Sequence, residues 1–297
     1  LIGTVVFMVL FYMINAAVHF PFMAQMATPA TIAITHSVFN ITATLVWLPF
    51  SNLLVKLACL TIRDDKVDEV SREDQEFMIL ESRFLEKPAF AVEQGRNAAK
   101  HMEQDSRKIL DIALGLIYSY SDEQAERVQK LESKIDRYED ELGTYLVKLN
   151  NKDLSERDSH SVSIMLHCIG DFERISDHAV NIMESAQELH EKNISFSSQA
   201  RNELQVLIAV VSRIVDTAYQ VFDKQDLNLT RDVEPLEEIV DELSKELKRR
   251  HVNRLRLGEC TIEMGFILTD LITSLERIAD HCSNISVCVT QVRENLY

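Results

Sequence analysis

The twelve residues DFERISDHAVNI (171–182) recur as SLERIADHCSNI (274–285), with Glu, Arg, Ile, Asp, His, Asn and Ile kept in register. Both copies place a polar residue at every fourth position: Glu173, Asp177 and Asn181, then Glu276, Asp280 and Asn284. A helix stacks residues i, i+4 and i+8 on one face, so each copy carries a polar stripe. Phe172, Ile175, Ala179 and Ile182 back the first stripe; Leu275, Ile278, Cys282 and Ile285 back the second. Each copy reads as a core helix with a carboxylate face.

A second match lies upstream of each copy. VQKLESKID (128–136) aligns with VEPLEEIVD (233–241), adding the pairs Glu132/Asp136 and Glu237/Asp241. The chain holds four Glu-x-x-x-Asp pairs in all, and every one falls in these matched segments. With 7 Gly and 5 Pro in 297 residues, and apolar residues at helical spacing, the expected fold is all-α. Breaks at Ser121-Asp122, Asn150-Asn151, Asn193, Asp226–Asn228 and Gly258 predict six helices, near 89–119, 122–150, 155–192, 197–225, 231–256 and 259–295. They form two sets of three, about residues 86–195 and 196–297, opened by Pro88 at a helix start.

The first 62 residues are a different kind of chain. They contain no Asp, Glu or Arg, and Lys56 is their one charge, so the remainder carries −17 of a net −16. Leu1 to Phe22 is long and apolar enough to span a bilayer, and PATIAITHSVFNITATLVWLPF (29–50) makes a second span. His36 and Asn40 sit one turn apart in its middle, as interhelical hydrogen-bond glue or as a functional polar site. Ser51 to Ile62 reads as interfacial, and residues 63–85 as a charged linker. Because the chain opens inside an apolar run, residues 1–62 are read as the truncated end of a membrane domain. Lys56 and Arg63 place residues 63–297 on the cytoplasmic side. Five cysteines without C-x-x-C spacing, Cys59, Cys168, Cys260, Cys282 and Cys288, fit reduced core residues there.

The charge of the helical part argues against a nucleic-acid partner, since phosphate backbones need a basic patch. If the second and third helices of a set pack by their acidic faces, four carboxylates converge. They then need protons, Arg or Lys, or a hard to borderline cation such as Mg, Mn, Ca or iron. Solvated faces with Arg174 and Arg277 as ion-pair partners are the plainer reading. His178 and His281 stand about 100° round the helix from the acids and are expected to hydrogen-bond within the bundle. Asp171 faces Ser274 in the alignment and is left out of the duplicated site. No G-x-S-x-G, H-E-x-x-H or P-loop is present, and no catalytic role is expected.

FERISDHAVNI and LERIADHCSNI, with the two preceding Glu-x-x-x-Asp helices, resemble the PhoU family over about residues 86–297. The resemblance implies two similar three-helix bundles and metal binding through two clusters: Glu132, Asp136, Glu173 and Asp177, and Glu237, Asp241, Glu276 and Asp280. The N-terminal part resembles the last membrane segments of bacterial sodium/phosphate cotransporters, whose A-x-x-H-x-x-F-N pattern is met by Ala33, His36, Phe39 and Asn40. Their Gln-Ser-Ser motifs are absent from this sequence, so phosphate- and sodium-binding residues are expected upstream of Leu1.

Together these readings describe the C-terminal part of a plasma-membrane, multi-pass sodium/phosphate symporter with a cytoplasmic regulatory domain. Its partners would be phosphate, sodium, the lipid bilayer, and either a second copy or a regulatory protein. A membrane-tethered metal-binding or signalling module without transport is the alternative, and a purely structural bundle a third reading.

Overall fold

The computed structural model describes residues 77–294 continuously, together with scattered residues between Met8 and Thr44. The chain divides into two compact units, Leu1–Val70 and Ser71–Tyr297. In the first unit most described residues are helical, and His36 Nδ1 and Asn40 Nδ2 hydrogen-bond at 3.0 Å across one turn. Met8, Tyr12, Met13, Ile32 and Ile41 are each more than half exposed. The two expected spans as continuous elements, the stretch 51–62 and residues 63–76 of the expected linker lie outside the described residues.

The second unit is built from six long helices: α1 (Pro88–Leu116), α2 (Asp122–Asn150), α3 (Glu156–Glu191), α4 (Ser198–Lys224), α5 (Val233–Arg256) and α6 (Ile262–Glu294). Their ends lie within three residues of the six helices predicted from the breaks. Local chemistry explains the ends. Pro88 occupies the first turn of α1, where a missing N–H costs nothing. Ser155 and Ser197 cap α3 and α4 by accepting from Asp158 N and Ala200 N. Gln225, at φ 50°, ends α4 in the left-handed conformation. Gly258, at φ 72°, does the same after α5, where a side chain would be strained.

Within each set the three helices pack on one another, α1 with α2 and α3, and α4 with α5 and α6. The sets are joined chiefly by α3 against α6, the two helices that carry the repeated stretch. Phe172, Ile175, Ala179 and Ile182 are fully buried on α3, as are Leu275, Ile278, Cys282 and Ile285 on α6. Burying side chains of this size stabilises by about 1.5–3 kcal/mol each, which fixes the stripes opposite them toward the outside. Phe172 packs edge-on against Tyr219 and Phe222 of α4, and Ser106 of α1 bonds both Phe172 O and Tyr219 Oη. That knot ties the first set to the second.

Among the described residues α4 is the one helix long and apolar enough to cross a membrane. Its Leu204, Leu207, Val211, Ile214, Val215 and Ala218 are buried, so its apolarity serves the core. At the end of the stretch read as a charged linker, Phe77, Leu80 and Leu85 are buried on α1 and α2 through two short 3-10 turns. Phe77 packs at a tilt against Tyr138, ring centroids 4.5 Å apart, with the Arg137 guanidinium 4.1 Å from the Phe77 ring centroid.

Candidate functional site

The helical period brings the acids together from two elements. α2 presents Glu132 and Asp136 one turn apart, and α3 packs against it with Asp177. One oxygen of each lies within 4.8 Å of the others. The second set repeats the arrangement with Glu237 and Asp241 of α5 and Asp280 of α6, again within 4.8 Å. Oxygens no farther apart than this can share one cation at a Ca–O distance of about 2.3–2.6 Å. All six are at least partly open to solvent at the bundle surface.

The fourth acid of each expected cluster, Glu173 or Glu276, stands outside its triad, and each has a cation beside it. Arg174 Nε lies 3.4 Å from Glu173, and Lys248 Nζ bonds Glu276 at 2.9 Å. Two other basic groups flank the second triad: Lys245 on Asp241 at 2.9 Å and Arg277 on Asp280 at 3.0 Å. At the first triad the ion pair seen among the described residues is Arg174 at 3.4 Å from Asp177. In the α2/α5 alignment Lys245 and Lys248 stand opposite Asp140 and Gly143, so the imbalance is written in the sequence.

Crowded carboxylates hold protons more tightly. Burial first, then Asp136, raises Glu132, with a hydrogen bond from Ser133 opposing. Burial, Asp177 and Asp140 raise Asp136. Burial and Asp177 push Glu173 up to about 7 despite Arg174. In the second set burial, Asp241 and Asp280 raise Glu237. A cation placed among these groups relieves the repulsion, and the all-oxygen donor set suits a hard one.

Three features escaped sequence reasoning. Asp171 accepts from His281 Nδ1 at 2.9 Å and from Asn284 at 3.4 Å, across the α3/α6 junction. Its aligned residue is Ser274, and the matching His178 has a buried Nδ1 with no protein partner. Of the two histidines expected to bond within the bundle, only His281 is seen to do so on its ring Nδ1. The signal was visible as the single acid-to-serine departure between the copies. Glu103 is buried on α1, with Oε2 unpartnered. Glu203 and Arg254, both buried, pair at 2.7 Å, with Arg250 and Gln199 adding bonds. Their helical spacing places both on inward faces, but a sequence does not show which acid meets which base.

The fold and site define a class: a pseudo-duplicated all-helical protein with one surface carboxylate triad per three-helix set. The PhoU domain family matches residues 99–186 and 204–289, each match taking in one triad, and the chain belongs to that family. It is 30% identical over 115 residues to the phosphate-specific transport system accessory protein PhoU homolog 1 of Thermotoga maritima, covering 39% of this chain and 49% of that protein. The chain thus spans about half the length of that relative. It is 22% identical over 194 residues to the phosphate-specific transport system accessory protein PhoU homolog of Deinococcus radiodurans, covering 64% of this chain and 88% of that protein. The crystal structure of PhoU from Pseudomonas aeruginosa shares the fold, with a TM-score of 0.64 at 22% identity over 69% of this chain and 98% of that one. The phosphate transport system regulatory protein PhoU from Streptococcus pneumoniae does so with a TM-score of 0.63 at 16% identity, over 70% and 98%.

Proposed function

We propose that this chain is the C-terminal part of a sodium-dependent phosphate symporter, and that its PhoU domain is a metal-binding regulatory module on the cytoplasmic face of the plasma membrane. The observation that carries the reading is the covalent joining of a PhoU domain to an apolar segment free of Asp, Glu and Arg. Supporting it, that segment holds exposed Met8, Tyr12, Met13, Ile32 and Ile41, a surface suited to lipid. The relatives named above as phosphate transport accessory proteins tie the family to the same substrate. Glu132, Asp136 and Asp177 would hold one cation, and Glu237, Asp241 and Asp280 another. A metal there would supply charge neutralisation; the six acids would hold α2 to α3 and α5 to α6 around it and so set the shape a partner or the transport domain meets. No chemical step is asked of the domain.

The test is uptake of labelled phosphate into vesicles carrying the full parent chain, with sodium and with potassium in its place. Sodium-dependent uptake is expected, and deletion of residues 86–297 should abolish its response to phosphate supply. The naming of both curated relatives as accessory proteins favours a second reading, a tethered metal-dependent signalling module. No uptake from folded, inserted protein would decide for it.

A further inference from the structure

One place in the helical unit runs against its acidity. Arg96 of α1, Arg157 and His160 of the first turns of α3, Gln225 after α4, and Arg293 at the end of α6 line a cavity of about 250 Å³. Among the described residues Glu156 is the one carboxylate on its wall. A neighbouring hollow of about 220 Å³ shares Arg96, Ser161 and Gln225, and its Lys100 is already neutralised by Asp223 at 2.8 Å.

The arginines here are short of partners. Among the described residues nine buried side-chain N or O atoms have no protein hydrogen-bond partner, and three of them belong to residues that line this cavity: Arg96 Nε, Arg293 Nε and His160 Nδ1. Arg96 gives one bond to Ser161 Oγ at 3.1 Å, while Glu93 stands 3.7 Å from its Nε, too far for a hydrogen bond. None of the described ion pairs or hydrogen bonds uses the Arg157 or Arg293 guanidinium. Native structures rarely leave buried donors unmade, because the desolvation is not recovered. Helix-end electrostatics account for part of the pattern, since Arg293 lies in the last turn of α6. They do not account for Arg157, which stands at the positive end of α3, where a second positive charge is disfavoured and an anion favoured.

We infer that this cavity binds a tetrahedral oxyanion of the phosphate class, with Arg96, Arg157 and Arg293 as its donors and the amino-terminal turn of α3 behind it. Guanidinium forks match phosphate oxygens two at a time, which suits three arginines from three helices around one anion. The ligand would bridge α1 and α3 of the first set to α6 of the second, so binding would be felt by both. No cavity residue belongs to either carboxylate triad, and the inference stands whether or not those triads hold metal.

The experiment is calorimetric titration of the full chain in detergent, with EDTA present and ionic strength held by chloride. The probes are inorganic phosphate and phenyl phosphate. Saturable binding of inorganic phosphate is expected, weakened about 10- to 100-fold in Arg157→Gln/Arg293→Gln. Helix content and thermal midpoint of the unliganded variant should match the parent, because neither side chain is buried in the core. Binding of phenyl phosphate alone would keep the site and assign it to a phosphorylated ligand. No saturation by either probe up to about 10 mM, or unchanged affinity in the double variant, would overturn the inference.

Discussion

Glu103 faces inward from α1, 8% exposed, with one carboxylate oxygen unpartnered. Burial, then the Asp223 charge, push its carboxyl up to about 8 against the pull of Lys100. The folded chain therefore keeps a proton that the unfolded chain releases near the ordinary glutamate value of 4.5. Its contribution is fully present below that value, is lost as pH rises toward about 8, and is flat beyond. Glu103→Gln keeps the shape without the titration. It should match the parent at pH 5 and exceed it by about 1–3 kcal/mol at pH 9 in chemical denaturation. A constant difference across that range would show that Glu103 does not titrate in the window. Gly265, in the first turn of α6, makes a second test at this scale. A Cβ there would come within 2.5 Å of His251 Nε2, and the His251 ring is buried. Gly265→Ala should cost about 1–3 kcal/mol by overpacking, read from the shift in denaturation midpoint. His251→Ala in the same chain should recover part of it.

At the scale of elements, the two carboxylate faces are alike in spacing and unlike in surroundings. Among the described residues the α5/α6 triad has Lys245, Arg277 and, through Glu276, Lys248 against it, whereas the α2/α3 triad has the Arg174 pair. Resident cations compete with a metal for the same oxygens, so the first triad should bind a divalent cation more tightly. Lys245→Met/Lys248→Met should bring the second site about 10-fold closer to the first in titration calorimetry. Glu132→Gln/Asp136→Asn should remove the tighter site and leave the weaker one. Equal sites in the parent would refute this account of the imbalance. These faces were legible because α-helical spacing is a local rule: Glu132/Asp136 and Glu173/Asp177 declare themselves at i, i+4 wherever the helices go. What was not legible depends on distance between elements. Glu276 reads as a fourth ligand by alignment, yet Lys248, 28 residues earlier, bonds it once α5 packs on α6. His281 meets Asp171 from 110 residues away, a pairing that no periodicity within α3 or α6 encodes. The linker reading of residues 63–85 weighed charge density, and the apolar FMIL run that docks Phe77 and Leu80 lies inside it.

For the whole molecule, the raised carboxylates act together. Glu132, Asp136, Glu173 and Glu237 are all pushed upward chiefly by burial and then by neighbouring acids, Glu173 to about 7. Each is protonated more readily folded than unfolded, so the metal-free helical unit should lose stability as pH rises from the ordinary carboxylate range through about 7. Glu203 runs the other way. Burial lifts it, but bonds from Arg254, Gln199 and Arg250 outweigh burial and hold it below its ordinary value. Its contribution is present above about 4.5 and is lost as pH falls through the lowered value. Glu126 and Glu246 are lowered like Glu203 and act below this window. His178 and His251, lowered first by burial, oppose as pH rises to about 6.5, while Glu103 and Asp111 add to the raised acids, so the net slope between pH 5 and 8 should be downward. A cation that binds the folded triads and not the unfolded chain reverses this at neutral pH, adding about 2.7 kcal/mol per site at a hundred times its Kd. The thermal midpoint of the full chain in EDTA should therefore fall from pH 5 to pH 8. Mg, Mn, Ca or ferrous iron should restore it at pH 8 and do little at pH 5, where protons already neutralise the triads. Glu132→Gln/Asp136→Asn/Glu237→Gln/Asp241→Asn should reduce the slope to the part owed to Glu103 and Glu173 and abolish the rescue together. If the slope were reduced while rescue by metal persisted, the triads would be proton sites only, and the cation would be bound elsewhere.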